Sequence, residues 1–212
     1  MSSVSIRLTG TERRQQLLNV AVDLFSRKGF KGTTTREIAA AAGVTEAIIF
    51  RHFETKEHLY KAIIDQRMSS SDAAAWIAGF QAAMDRDDDE AVVRQLIAAI
   101  IKSQKNDPKF ERLMIYAALE GNEIALLYMR QTTECIVDAF RKYFKRRQKK
   151  GEIRAFSADF ALAAIVGMAK EYALCKYVHA FPENNLSDQD ALDSFTRIAM
   201  DGLCLRAKTK KR

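Results

Sequence analysis

The amino-acid sequence predicts an all-α protein of about nine helices, on three observations. Hydrophobic residues make up 48% of the 212, with only two prolines and nine glycines to interrupt them. Apolar positions return every three to four residues, the period of a helix with one buried face, and the alternating Val, Ile and Thr of strands is scarce. Capping residues, glycines and the prolines fall between those periodic segments. A chain of this length buries a proper core.

The first helix is expected from about Thr11 to Lys28, with Leu17, Ala21, Leu24 and Phe25 as its buried stripe and Gly29 as its end. Two short helices follow between Thr33 and Phe53. A fourth starts near Lys56, uses Leu59, Ile63 and Met68, and continues with a bend near Ser69-Ser70-Ser71 through Trp76, Phe80 and Met84. After the acidic break Asp85 to Asp89, with Asp88 or Asp89 as cap, a helix carrying Val92, Leu96, Ala99 and Ile100 reaches about Lys105. Asn106-Asp107-Pro108 stops it, and Pro108 suits the first turn of the next. That helix presents Phe110, Leu113, Met114 and Ala117 as far as Glu120, where Gly121-Asn122 breaks the pattern. A long helix from about Glu123 to Lys150, with Leu127, Cys135, Ile136, Phe140 and Phe144 apolar, ends at Gly151. Ser157 caps a strongly apolar helix through His179, residues 182–186 form a loop, and Ser187 caps the last helix to about Leu205.

The stretch TTTREIAAAAGVTEAIIFRHFETKEHLY, Thr33 to Tyr60, carries most of the functional information. Thr35 is read as the N-cap of a short helix with Ile38, Ala39 and Ala42 on its apolar face. Gly43 stands where the chain needs a left-handed residue. Val44 plugs the turn and Thr45 is read as the cap of the next helix. Ile48, Ile49 and Phe53 form the buried side of that helix. Thr45, Glu46, Ala47, Phe50, Arg51 and His52 are left on its outward face. Two short helices at this spacing are the organisation of a helix-turn-helix, whose second helix enters a DNA major groove.

The same residues resemble the N-terminal DNA-binding domain of TetR-like one-component regulators. The pattern is carried by Thr35, Ile38-Ala39, Ala42-Gly43-Val44-Thr45, Phe50, His52-Phe53 and Lys56-Glu57-His58-Leu59, with Phe25, Gly29-Phe30 and Thr33-Thr34 upstream. It covers about residues 11–65. The resemblance implies that Arg36 contacts a base and that Thr35, His52 and Lys56 contact phosphates. Thr45, Glu46 and Ala47 are best placed for bases, with Arg51 reaching a base or a phosphate. Phe50 stands where the family usually has Tyr, so any phosphate contact by that hydroxyl is missing here. The implied organisation is a three-helix DNA-binding domain at 1–56, a helical effector-binding and dimerisation domain at 57–205, and a basic tail at 206–212.

The resemblance further implies a repressor of double-stranded, palindromic operator DNA, released by a small, mostly apolar effector. Trp76, Phe80, Met84, Met114, Tyr116, Tyr128, Met129 and Tyr172 are the candidate pocket residues. Glu120 and Glu171 are acids beside apolar runs that could meet a cationic ligand or simply lie on exposed helix edges. The last two helices carry Ala161, Ala164, Ile165, Met168, Ala169 and Tyr172, and Leu192, Phe195, Ile198, Ala199, Gly202 and Leu203. Ordinary internal core is one reading of these wide faces. The other, favoured by the resemblance and by the two-fold symmetry of helix-turn-helix proteins, is that part of each face pairs with its copy in a homodimer.

Composition narrows the rival classes. The three histidines, His52, His58 and His179, have no zinc-ligand spacing, and there is no Gly-rich phosphate loop, nucleophile elbow or Cys-x-x-Cys. No enzyme, metal or cofactor is expected. No apolar stretch approaches a membrane span and the N-terminus lacks a signal-peptide core, so a cytoplasmic protein is expected. Cys135, Cys175 and Cys204 are read as reduced thiols. The net charge of +7 is concentrated in residues 141–154, with eight Lys/Arg against one Glu, and in five basic residues of the tail. That run raises a second reading, a non-specific polyanion or membrane-surface binder. The plainer reading is a solvated helix end whose cations complement the macrodipole.

Overall fold

The computed structural model describes residues 8–68, 71–179 and 186–204. The expectations for the tail, for the loop at 182–185 and for the helix end at Leu205 concern residues outside that range. Ten α-helices stand in chain order: α1 Gly10–Lys28, α2 Thr35–Ala41, α3 Glu46–His52, α4 Lys56–Met68, α5 Ser71–Asp85, α6 Asp89–Asn106, α7 Pro108–Glu120, α8 Glu123–Lys149, α9 Ala158–Ala173 and α10 Asp188–Leu203. Extended backbone pairs at one isolated bridge, Ile153 with Cys204, among the described residues. The expected run Lys56 to Met84 is described as α4 and α5, and the bend expected at Ser69-Ser70 falls outside the described residues. The end of α9 also differs: Leu174–Val178 winds as a π-helical turn instead of continuing the α-helix to His179.

Local chemistry explains the boundaries. Thr9 and Glu12 close a capping box at the start of α1. Asp88 caps α6 by accepting from the Ala91 amide at 3.0 Å, Ser157 caps α9 and Ser187 caps α10. Pro108 opens α7, where its missing N–H costs nothing.

The described residues divide into two compact units, one drawn from Met1–Ser69 and Lys109–Tyr128, the other from Ser70–Pro108 and Met129–Arg212. In the first, α1 packs on α2 and α4, and α2 on α3. Leu17, Leu18, Ala21, Phe25, Ile38, Ile49, Phe53, Leu59 and Tyr60 are buried there. Each such large side chain contributes roughly 1.5–3 kcal/mol by leaving water. Tyr60 stands edge-on to both Phe25 and Phe30, at 5.2 and 5.1 Å between ring centres.

In the second unit α6 is the central helix, packed on α5, α9 and α10. Its core joins Phe80, Ala83 and Met84 to Val92, Val93, Leu96, Ile97 and Ile101, and to Phe140 and Phe144 of α8 and the inner faces of α9 and α10. Ala161, Ile165, Ala169, Tyr172, Ala199 and Leu203 of the two wide faces are buried in this core. The outward residues lie one step round each helix. They are Phe160, Ala163, Ala164 and Gly167 on α9, and Ser194, Ile198 and Gly202 on α10.

The basic run of α8 has partners within this unit. Arg147 meets Asp89 through two parallel bonds of 2.9 Å, Arg146 reaches Asp87 at 2.8 Å, Lys150 also reaches Asp87, and Arg141 reaches Asp159 at 2.6 Å. The acidic break at 85–89 and the basic run at 141–150 are therefore counterparts of one another. Four of the seven cations in that run, Arg141, Arg146, Arg147 and Lys150, are held by carboxylates.

Candidate nucleic-acid interface

The turn between α2 and α3 is built by hydrogen bonds that end one helix and aim the next. Gly43 at φ +67° lets its own amide reach the Ala40 carbonyl at 3.1 Å while the Val44 amide reaches Ala39 at 2.9 Å. That crossed pair needs a left-handed residue, which glycine adopts without strain. Gln16 of α1 donates to the Ala42 carbonyl at 3.2 Å and ties the turn to the first helix. Ile49 and Phe53 are fully buried, and Ile48 is half-buried. The inner face of α3 is thereby pinned.

The cap of α2 is Thr34, not Thr35. The Thr34 hydroxyl accepts from the Glu37 amide at 3.2 Å and the Glu37 carboxylate accepts from the Thr34 amide at 2.9 Å. The spacing Thr-x-x-Glu was present in the sequence and is the signal that marks this cap. Lys28 adds an ion pair to Glu37 at 2.7 Å. The Lys28 ammonium first, then the Thr34 amide and hydroxyl, draw the Glu37 carboxyl down to about 2. Thr35 is the first residue of α2, and its hydroxyl donates to Glu46 Oε1 at 2.6 Å, linking the starts of the two helices. Thr45 occupies the cap position of α3, but its side chain makes no capping bond.

The outward face comes out largely as expected. Thr45, Ala47, Phe50 and Arg51 are exposed, Phe50 at 48%, with Glu46 and His52 half-buried beside them. Arg36 is exposed on α2, and Glu37, the near carboxylate available to it, is engaged with Lys28 and Thr34. Lys56 differs from its neighbours. Its ammonium donates to the carbonyls of Phe30 and Thr33, both at 2.9 Å, and stands 4.1 Å over the Phe30 ring. Lys56 thus holds the loop before α2. The guanidinium of Arg14, which the sequence pattern does not mark, lies 4.9 Å over the Phe53 ring.

The eight candidate pocket residues are divided between the two units. Trp76, Phe80, Met84, Met129 and Tyr172 belong to the second unit, and Met114, Tyr116 and Tyr128 to the first. Trp76 stacks on Phe80 at 5.1 Å and donates to the Gln95 carbonyl, Tyr172 donates to Asp188, and Tyr116 donates to the Arg27 carbonyl. Glu120 does not await a cation: its carboxylate binds the amides of Phe30 and Lys31. A small apolar cavity of about 10 Å³ in the second unit is lined by Val92, Val93, Phe140, Phe144, Ile153 and Met200, with Asp89 and Tyr143 at its polar side. It has room for about one water. None of the eight expected residues lines it.

A buried three-helix support, a glycine turn and an exposed second helix define a helix-turn-helix DNA-binding domain. Residues 17–63 match the family described as bacterial regulatory proteins, tetR family. Over that segment the chain is similar to TetR-family transcriptional regulators. It is similar to the HTH-type transcriptional regulator RutR of Escherichia coli K12, 22% identical over 96% of this chain and 99% of that protein. It is also similar to the regulator AcrR of Shigella flexneri, 32% identical over 59% of this chain and 58% of that one. Among solved structures, AibR in complex with isovaleryl coenzyme A and operator DNA superposes with a TM-score of 0.60 at 21% identity, covering 88% of this chain and 97% of AibR. Among the described residues, no helix is long and apolar enough to cross a membrane.

Proposed function

We propose that this chain is a homodimeric cytoplasmic repressor that holds a palindromic operator and releases it when a small, mostly apolar effector binds. It acts by binding and not by catalysis. The observation that carries the reading is the outward face of α3. Thr45, Ala47, Phe50 and Arg51 are exposed there on a helix whose other face is fully buried, with Arg36 of α2 exposed as well. An arginine matches guanine N7 and O6, and the Phe50 ring offers an apolar contact to a thymine methyl in place of a phosphate bond. Thr45, Glu46 and Ala47 are the remaining base readers, His52 is a phosphate contact, and Lys56 serves the interface by fixing the loop before α2.

The dimer rests on the faces of α9 and α10 that the core leaves uncovered. Phe160 is 79% exposed beside Ala163, Ala164 and Gly167, and Ile198 is 57% exposed between Ser194 and Gly202. Small residues let helices approach closely, and a second copy brings a second head to the other half-site. For the effector, AibR was crystallised with both an acyl thioester of coenzyme A and DNA. A ligand that favours the free state weakens operator binding by the same coupling with which DNA weakens ligand binding.

Selection of bound fragments from genomic DNA tests the reading. Recovery of an inverted repeat, with half-sites about one helical turn apart, supports it. Fragments that share no sequence, or retention equal on anionic vesicles, defeat it.

A further inference from the structure

The hydrogen bond from Thr35 to Glu46 fixes an acid at the start of the helix that carries the outward face. Glu46 is the first residue of α3 and half-buried, and the Thr35 hydroxyl approaches one carboxylate oxygen at 2.6 Å. Thr35 is its hydrogen-bond partner among the described residues, which leaves Oε2 as a free acceptor. Neighbouring positive charge comes from Arg36, Arg51 and Lys56, and Lys56 is turned to backbone carbonyls. A carboxylate on this face lowers generic affinity, because it repels the phosphates that supply sequence-independent binding. The repulsion is offset only where a base edge offers a proton. Guanine presents O6 and N7 in the major groove and thymine presents O4, all acceptors that oppose a carboxylate. Adenine offers its N6 amino group but sets the N7 acceptor beside it. Cytosine offers the N4 amino group without that neighbour.

Thr35 has one hydroxyl proton. While it donates to Glu46 it cannot donate to a phosphate, which has no proton to give in return. Its role here is to fix the direction of the Glu46 carboxylate.

We propose that Thr35 and Glu46 form a base-selective reader in which Glu46 accepts from the N4 amino group of a cytosine in each operator half-site and Thr35 positions it. The proposal rests on the DNA-reading assignment of α3. It makes Glu46 the residue that rejects guanine and thymine at that position, and it separates that task from the generic attraction supplied by the arginines.

The test is a set of binding measurements on the full chain at fixed salt, using the operator recovered by selection and all its single-base variants. Wild type should prefer cytosine at one position of each half-site by about ten-fold or more. Glu46→Ala should lose that preference alone, while its affinity for the variant operators stays level or rises. Glu46→Gln should move the preference to adenine, which an amide matches at N6 and N7. Thr35→Val should blur the preference and Thr35→Ser should keep it. Both retain the helix, since Thr34 supplies the cap. Cytosine preference that survives in Glu46→Ala, or a uniform loss of affinity for every base in that variant, overturns the proposal and leaves the regulator reading standing. Failure of wild type to select any sequence overturns both.

Discussion

The carboxylate of Glu120, the last residue of α7, closes over the backbone amide of Phe30 at 3.0 Å, with Lys31 at 3.1 Å from its other oxygen. One side chain thus satisfies two donors of the loop that leads into α2. Tyr116 donates to the Arg27 carbonyl at 3.0 Å, Arg112 to Ser26 at 3.3 Å, and Lys109 pairs with Asp23 at 2.7 Å. These residues lie on one side of α7 and follow the end of α1. The DNA-binding head and α7 are therefore parts of one unit, although about 90 residues separate the partners in sequence. An effector that displaced α7 would act on the head through these bonds.

Glu120→Ala should destabilise the first unit by ~1–2 kcal/mol, less than a fully buried charged hydrogen bond because the group is half-exposed. Gly29→Ala should cost ~1–3 kcal/mol, since Gly29 sits at φ +74°, ψ 176°, a region that is essentially glycine-only. A Cβ there would lie 2.2 Å from Glu120 Oε1. The double variant should cost less than the sum, because removing the Glu120 carboxylate relieves that clash and leaves the backbone strain. Urea denaturation of the four proteins measures all three numbers. Strict additivity would mean that the two residues do not share the strain.

Arg147→Ala should be the costliest change in the basic run. Its side chain is 11% exposed and that of Asp89 13%, and the pair is bidentate. Removing one partner of such a pair leaves a poorly hydrated charge and costs ~3 kcal/mol. Lys142→Ala, at an exposed position of the same helix, should fall within ~0.5 kcal/mol of wild type. Thermal melts of the two variants distinguish an anchoring run from a merely solubilising one.

Glu37, Asp87 and Asp188 should together set the acid limit of the fold. Burial acts to raise the Asp188 carboxyl, but hydrogen bonds from Lys105, Tyr177, Lys176 and Tyr172 hold it far below the usual range. Lys150, then Arg146, lowers Asp87, and Lys28 with Thr34 brings Glu37 to about 2. Each native value lies below that of the unfolded chain. The contributions are complete above the ordinary carboxylate range near pH 4 and are lost as pH falls through the native values. The melting temperature should drop steeply below about pH 4. Asp188→Asn should melt lower than wild type at pH 7, and the gap should narrow as pH falls below about 4, where the unfolded chain takes up a proton that the folded one still refuses. A gap independent of pH would show that the carboxylate's charge is not what the hub uses.

The helices were legible because each carries its own punctuation. Asp88, Pro108, Ser157 and Ser187 each mark a start that can be read within four residues of sequence. Gly43 and the Ile49/Phe53 face were legible for the same reason, since a helix-turn-helix is a local motif. Thr34 was misread as Thr35 because three threonines stand in a row, and only the distance to Glu37 distinguishes them. Long-range partnerships were not legible. The carbonyls that Lys56 meets lie 26 and 23 residues upstream, beyond any local pattern, and nothing near Glu120 shows Phe30. Which part of the wide faces of α9 and α10 lies outward was not legible, because Ala and Gly carry little information about burial. Ala161 and Ala164 differ only in which side of the helix α6 happens to cover.

Arg36→Ala and Arg51→Ala should each weaken operator binding by ~1–3 kcal/mol while leaving the melting temperature within a degree or two of wild type. Both side chains are exposed and neither supports the buried face of α2 or α3. If the lost contact is to a base, the penalty should concentrate on one operator position. If it is to a phosphate, the loss should be uniform across sequences and the salt dependence shallower by about one ion. Unchanged affinity in both variants would remove α2 and α3 from the interface.

Ala164→Glu should separate the dimer without unfolding the chain. Ala164 is exposed on α9, between Phe160 and Gly167 on the uncovered face, so the carboxylate is harmless in a single subunit. In the proposed interface two such charges would meet near the symmetry axis among the small and apolar groups of the two faces. An uncompensated charge buried in this way costs ~3–5 kcal/mol, enough to raise the dimer dissociation constant by roughly two to three orders of magnitude. Sedimentation at micromolar concentration should show a monomer where wild type is a dimer. Operator affinity should fall with it, because a lone head grips one half-site and forfeits the effective concentration that ties the second head to the same duplex. Ala118→Glu, at an exposed position of α7, is the matched control and should remain dimeric. If Ala164→Glu stayed dimeric with normal operator affinity, the faces of α9 and α10 would not be the contact between subunits.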